Sequence, residues 1–214
     1  ERGTLLTVSS ILKEITGHQI AVLSGPSFAK EVIKKLPTAV TLATEKPDTG
    51  LILQEIFNTP YFRVYTHTDM LGVELGGALK NVIAIASGIS DGLGLGHDAR
   101  AALITRGLAE IVRLGESLGA DERTFSGLSG IGDLVLTCTG PLSRNYSVGV
   151  SLGKGMKLKE ILSATKSVAE GVATALSAYE LSRKQGVEMP IVEQIYEVIY
   201  KEKSPAAAVT MLMN

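Results

Sequence analysis

The chain has 214 residues, 45% hydrophobic and 20% charged, with a net charge of -1 and a pI near 6.4, a globular balance with room for one large domain or one domain and part of another. No basic excess exists to displace counterions, which excludes nucleic acid as the main partner but not a small anion. The single cysteine, Cys138, excludes an intramolecular disulfide.

His18, His67 and His97 lie far apart, so no metal site is expected. No apolar run approaches the roughly 20 residues of a membrane span. The opening Glu1-Arg2-Gly3-Thr4 is not a signal peptide, so a cytoplasmic location is expected. It also lacks an initiator Met, as if the chain began inside a longer one.

The first seventy residues alternate helix and strand. A helix over Leu5 to Ile15 ends at the turn Thr16-Gly17-His18. Ile20 to Leu23 reads as a short buried parallel strand, followed by Ser24-Gly25-Pro26-Ser27. A helix over Phe28 to Lys35, capped by Ser27, leads to the β-rich run Thr38 to Ala43. Asp48 and Thr49 offer caps for a helix to about Phe57, and Tyr61 to Thr66 alternates as a strand. This order implies the parallel crossovers of a doubly wound sheet. Such a sheet should open with a strand, a glycine-rich turn and a helix, and that opening is absent. The glycine-rich run Gly92 to Gly96 lies between helices, the wrong context for it. The fold class is therefore α/β plus all-α: the second half of a Rossmann-like parallel sheet domain (1–70) followed by a nearly all-helical part (71–214).

In that second part, helices are expected over Leu71 to Ser90, Arg100 to Leu118, Gly130 to Leu136 and Asn145 to Leu152. Others follow over Leu158 to Ala164, Gly171 to Gln185 and Ile191 to Tyr200, and Ser204-Pro205 opens a last one. His97 reads as a loop residue, with Asp98 as a cap.

Lys80 is the first candidate for chemistry. Gly76 and Gly77 lie one turn before it, and Ala84 and Ser87 follow on the same face. Two glycines inside a helix cost roughly 1 kcal/mol each against alanine, so a close approach should offset them. Either another backbone packs there while the lysine snorkels outward, or a ligand does, with the lysine reaching into it. A partly desolvated lysine is suited to proton transfer at a carbonyl oxygen, and Asn81 beside it offers an amide. In Gly130 to Asn145, Asp133, Thr137, Thr139 and Ser143 supply polar groups, and Arg144-Asn145 open a helix. A helix N-terminus with an arginine is an anion site, or else a capped loop with a surface arginine. Gly25 and Ser27 stand where a parallel sheet binds ligands, or form a simple strand-to-helix turn. Cys138 has no base partner and reads as a packed residue.

Three strings carry a resemblance: AVLSGPSFAKEV (Ala21 to Val32), the long run from Gly72 to Glu110 beginning GVELGGALKN, and SGIGDLVLTCTGPLSRN (Ser129 to Asn145). In this order they resemble bacterial NAD(P)-dependent glycerol-3-phosphate dehydrogenases along essentially the whole chain, as the C-terminal two-thirds of such an enzyme. The resemblance implies interconversion of dihydroxyacetone phosphate and sn-glycerol 3-phosphate with NAD or NADP, feeding phospholipid synthesis, in a homodimer. It implies Lys80 as proton donor and acceptor with Asp133 as its partner. Gly25, Ser27, Ser143, Arg144 and Asn145 are implied as substrate contacts, with Asn81 and Thr137 matching more loosely. Ala29, Arg144, Val168 and Glu170 are implied on the cofactor side. The family's glycine-rich cofactor loop is missing. Two alternatives stand beside this reading: a related hydroxyacid dehydrogenase, or a non-catalytic helical domain that dimerises or binds a partner.

Overall fold

The computed structural model describes residues 3–164 and 169–214. In chain order the elements are α1 (Val8–Thr16), β1 (Ala21–Ser24), α2 (Ala29–Val32), β2 (Thr38–Thr44), α3 (Pro47–Phe57), β3 (Phe62–His67), α4 (Met70–Gly92), α5 (Gly96–Ser117) and α6 (Glu122–Phe125). A π-helical turn (Leu128–Gly132) follows, then α7 (Asp133–Thr139), α8 (Arg144–Gly153), α9 (Leu158–Ala164), α10 (Glu170–Gln185), α11 (Pro190–Tyr200) and α12 (Pro205–Met213).

The α/β-then-α organisation is present, but the sheet is mixed. The strand order is β1-β2-β3. β2 and β3 are parallel, with Val40 opposite Val64, whereas β1 runs antiparallel to β2, with Leu23 opposite Leu42. The expected all-parallel sheet is corrected by the length of α2. Its four residues span about 6 Å, too little to carry the chain back along a seven-residue strand of about 23 Å. The 11 residues of α3 do make that return. β1 is also not buried on both faces, since Leu23 is exposed. The expected helix to Lys35 stops at Val32, and Lys35 takes a left-handed φ of 59° two residues before Pro37. Further cap expectations change. α3 starts with Pro47 at its first turn and no side-chain cap from Asp48 or Thr49, and α5 starts at Gly96, which places Asp98 inside its first turn. The last helix does open as expected, with Ser204 Oγ accepting from the Ala207 N–H at 3.2 Å.

α4 is the axis of the helical part. By length and composition it could cross a membrane, which corrects the expectation that no run approached that length. However, 72% of its most apolar window is buried inside the protein. Val82, Ile83, Ala84 and Ile85 are fully buried among side chains of α5, α7, α8, α10 and α11. Asp69 caps its start, accepting from the Gly72 N–H at 2.8 Å and from the Thr124 hydroxyl at 2.6 Å.

α8 lies against α4 at backbone contact. A methyl group at Gly88 would stand 2.1 Å from the Tyr146 carbonyl oxygen, and one at Gly149 the same distance from that of Ile85. One turn on, Gly92 and Gly153 repeat the pattern against Val150 and Ile89. Four glycines at i, i+4 spacing on two helices thus set how closely α8 approaches α4. At the far end, the buried Glu110 of α5 accepts the N–H groups of Ile191 (2.7 Å) and Val192 (3.2 Å), and so caps α11.

Candidate active site

Lys80 stands on α4 where two segments close over small residues. A methyl group at Gly76 would lie 2.5 Å from the Ser129 carbonyl oxygen, and one at Gly77 2.7 Å from Ser24 Oγ. The close approach expected at the glycines is therefore made by protein: the Ser129 backbone packs on Gly76 and the Ser24 side chain on Gly77. The Lys80 Nζ donates to Asp133 Oδ2. The Asp133 side chain is 3% exposed and that of Lys80 19%. The aspartate opens α7, and the Thr137 hydroxyl bonds back to its carbonyl at 2.6 Å. Burial pushes the Asp133 carboxyl above its ordinary range, against the opposing pull of the Lys80 ammonium, the Thr137 hydroxyl and the Gly25 N–H. The pair thus links α4 to α7 in a largely buried setting.

α8 supplies the second wall. Ser143 caps it, accepting from the Tyr146 N–H at 3.2 Å. Arg144 follows in the first turn, 3.6 Å from Glu170 at the start of α10, with both side chains more than half exposed. Asn145 Nδ2 donates to Asn81 Oδ1 at 2.8 Å, and Asn145 Oδ1 accepts the Gly171 N–H at 2.9 Å. A chain of buried amides therefore ties α4, α8 and α10 together beneath Arg144 and Glu170.

These groups surround a cavity of about 220 Å³. Gly25, Ser27, Lys80, Asn81, Asp133, Thr137, Ser143, Arg144, Asn145 and Glu170 all line it. Of the other expected site residues, Ala29 is exposed and outside this lining, and Val168 lies outside the described residues. Ser27 does not cap α2. Its hydroxyl donates to the Gly25 carbonyl at 2.9 Å, and Phe28 holds the cap position. Cys138 is fully buried, and burial pushes its thiol up to about 12, unfit for a nucleophile. Four lining residues were not among the expected site residues: Phe28, Leu136, Leu142 and Gly77, the last singled out only for the stripe beside Lys80. Leu136 was legible as the residue one turn after Asp133 on the same face. A larger, mostly apolar cavity of about 610 Å³ lies among α1, β1, α4 and α10 and shares Lys80. The titratable groups converge on the smaller one, which makes that the candidate site.

A Rossmann-like sheet joined to a helical unit, with a lysine–carboxylate pair where they meet, defines the class of two-part dehydrogenase folds. Within that class, the chain belongs to the NAD-dependent glycerol-3-phosphate dehydrogenase family, whose C-terminal model matches residues 69–210 and N-terminal model residues 1–50. It is 58% identical to the glycerol-3-phosphate dehydrogenase (NAD(P)+) of Geobacter sulfurreducens, with 100% of this chain and 65% of the relative covered. It is equally identical to that of Syntrophotalea carbinolica, covering 66% of it. Thus the chain spans about two-thirds of the length of the curated relatives it matches. The crystal structure of glycerol-3-phosphate dehydrogenase from Coxiella burnetii superposes with a TM-score of 0.96 at 43% identity, over 99% of this chain and 66% of that one. The yeast enzyme gives 0.87 at 30%, over 96% and 63%.

Proposed function

We propose that this chain carries the substrate half of an oxidoreductase that interconverts dihydroxyacetone phosphate and sn-glycerol 3-phosphate with NAD(H) or NADP(H). The observation that carries this reading is the Lys80–Asp133 pair facing a small cavity whose rim holds Arg144 at the N-terminus of α8. The N–H groups and dipole of that helix end, with the arginine fork, suit a phosphate. Ser143, Asn145, Asn81, Thr137, Gly25 and Ser27 line the space left for the three-carbon body.

Lys80 gives a proton to the carbonyl oxygen in reduction and takes it back from the hydroxyl in oxidation. Asp133 orients the lysine and balances its charge. The dinucleotide, when bound, supplies or accepts the hydride at the carbon. Residues on its side fit it: the exposed Arg144 and Glu170 flank the cavity rim, where a carboxylate is suited to ribose hydroxyls, and the exposed Ala29 belongs with them by resemblance. So does Val168. The division proposed is residues 1–70 for the nucleotide side and 71–214 for the substrate side. A cytoplasmic homodimer supplying phospholipid synthesis completes the reading.

The test is nicotinamide absorbance after dihydroxyacetone phosphate and NADH or NADPH are added to the longest form of the protein that can be expressed. Rapid oxidation of either nucleotide is expected. No oxidation by a form that binds nucleotide would refute the proposal.

A further inference from the structure

The lining of the cavity includes, beside its polar groups, the apolar Phe28, Leu136 and Leu142, which no catalytic argument uses. The turn from Ser24 to Phe28 is laid along α4, the π-helical turn and the end of α7 at glycines. A methyl group at Gly77 would meet Ser24 Oγ at 2.7 Å, and one at Gly132 would touch Pro26 Cδ at 3.9 Å. At Gly140 a methyl group would stand 2.9 Å from Phe28 Cε2 and 3.0 Å from its Cζ. The Phe28 ring is thus seated on the bare backbone at the end of α7. Leu136, one turn after Asp133, lines the same cavity. Its carbonyl accepts the Gly140 N–H at 3.0 Å, which holds the seat in place.

With phosphate at Arg144 and the carbonyl oxygen at Lys80, the remaining carbon is left to the rest of the lining, which includes Phe28 and Leu136. At about 220 Å³ the cavity falls below the roughly 300–1,000 Å³ of sites for drug-sized ligands. We propose that Phe28, seated on Gly140, and Leu136 form the wall that limits the substrate to three carbons. They are specificity-determining residues rather than catalytic ones. This inference rests on the dehydrogenase reading above and deepens it.

The test compares kcat/KM for dihydroxyacetone phosphate with that for 3-hydroxy-2-oxobutyl phosphate, which carries one more methyl group on the hydroxymethyl carbon. It uses the longest form of the protein that can be expressed. The unsubstituted protein is expected to favour the smaller ketone by about 10–200-fold, the range that one methylene commands in a closed pocket. Phe28→Ala should narrow that preference by about tenfold or more, and Leu136→Ala should act in the same direction. A preference within about threefold of the parent's in whichever of the two variants remains folded by circular dichroism overturns the wall. So does a raised KM for the nucleotide with the preference unchanged, because that assigns Phe28 to the cofactor. An unsubstituted protein inactive on dihydroxyacetone phosphate sinks the dehydrogenase reading itself, and the wall falls with it.

Discussion

Replacing Gly149 by alanine tests how α8 is held against α4, and the sign of the effect is decided by the structure. On an isolated helix the change stabilises, by about 1 kcal/mol of propensity. Here the new methyl group would sit 2.1 Å from the Ile85 carbonyl oxygen and 2.9 Å from the Gly88 Cα, against about 3.5–4.0 Å for carbon contacts at their optimum. The opposing atoms are helix backbone, so α8 must back away as a unit. Overpacking of this kind costs about 1–3 kcal/mol, and a rigid backbone neighbour puts it near about 3. After the propensity gain the net loss is about 2 kcal/mol, a fall in Tm of about 4–8 °C for a chain of this size. Arg144 and Asn145 ride on the same helix, so the KM for the phosphorylated substrate should rise as well. Thermal unfolding followed by circular dichroism, beside kinetics on the folded variant, reads both effects. A melting temperature equal to or above the parent's would refute the close-approach argument.

Lys80→Ala should lower kcat by about 10²–10⁴-fold with little change in KM, because its proton moves in the transition state, whereas Arg144→Ala should chiefly raise KM; steady-state kinetics in which both merely weaken substrate affinity would contradict this division. Burial pushes the Glu110 carboxyl from its ordinary 4.5 to about 7, against the pull of the Ile191 and Val192 N–H groups and of Arg113 and Arg106. Between those values the unfolded chain has lost a proton that the folded one keeps. Stability should therefore fall as pH rises through that window, by about 3 kcal/mol in total, and level off above it. Asp133, also raised, adds in the same direction. Glu110→Gln should flatten most of this slope in urea midpoints measured at pH 5 and 8, and an unchanged slope would count against the buried cap. Cys138 should resist thiol reagents at pH 8 in the native protein and react once the protein is unfolded; a native thiol titrating at the unfolded rate would deny its burial.

Local signals made much of the fold and of the candidate site readable. The helices carry apolar periodicity and punctuating glycines and prolines, so most of their positions were recovered, with ends moved by a few residues. Lys80, Asp133 and Arg144 stood out because their positions put them on a small-residue stripe or at a helix start. What local pattern could not reveal was direction and approach. An α-β-α-β order reads the same whether or not a helix is long enough to reverse the chain, and the single turn of α2 turned an expected parallel strand antiparallel. The π-helical turn escaped because Gly130, at φ -99° and ψ -106°, is set by the Phe125 carbonyl, 2.0 Å from where its side chain would be.

The sequence by itself determined the element types, the class of fold and the short list of groups able to move a proton or hold an anion. Those follow from spacing along one chain, through the periods of 3.6 and 2 and the chemistry of each side chain. Spacing left the Lys80–Asp133 contact across 53 residues to the resemblance, and only the tertiary structure decided that Asn145 bridges Asn81 and Gly171 and that Phe28 rests on Gly140. Such pairings depend on how closely backbones approach. That distance is set by which glycines face one another in space, and spacing along the chain does not encode it.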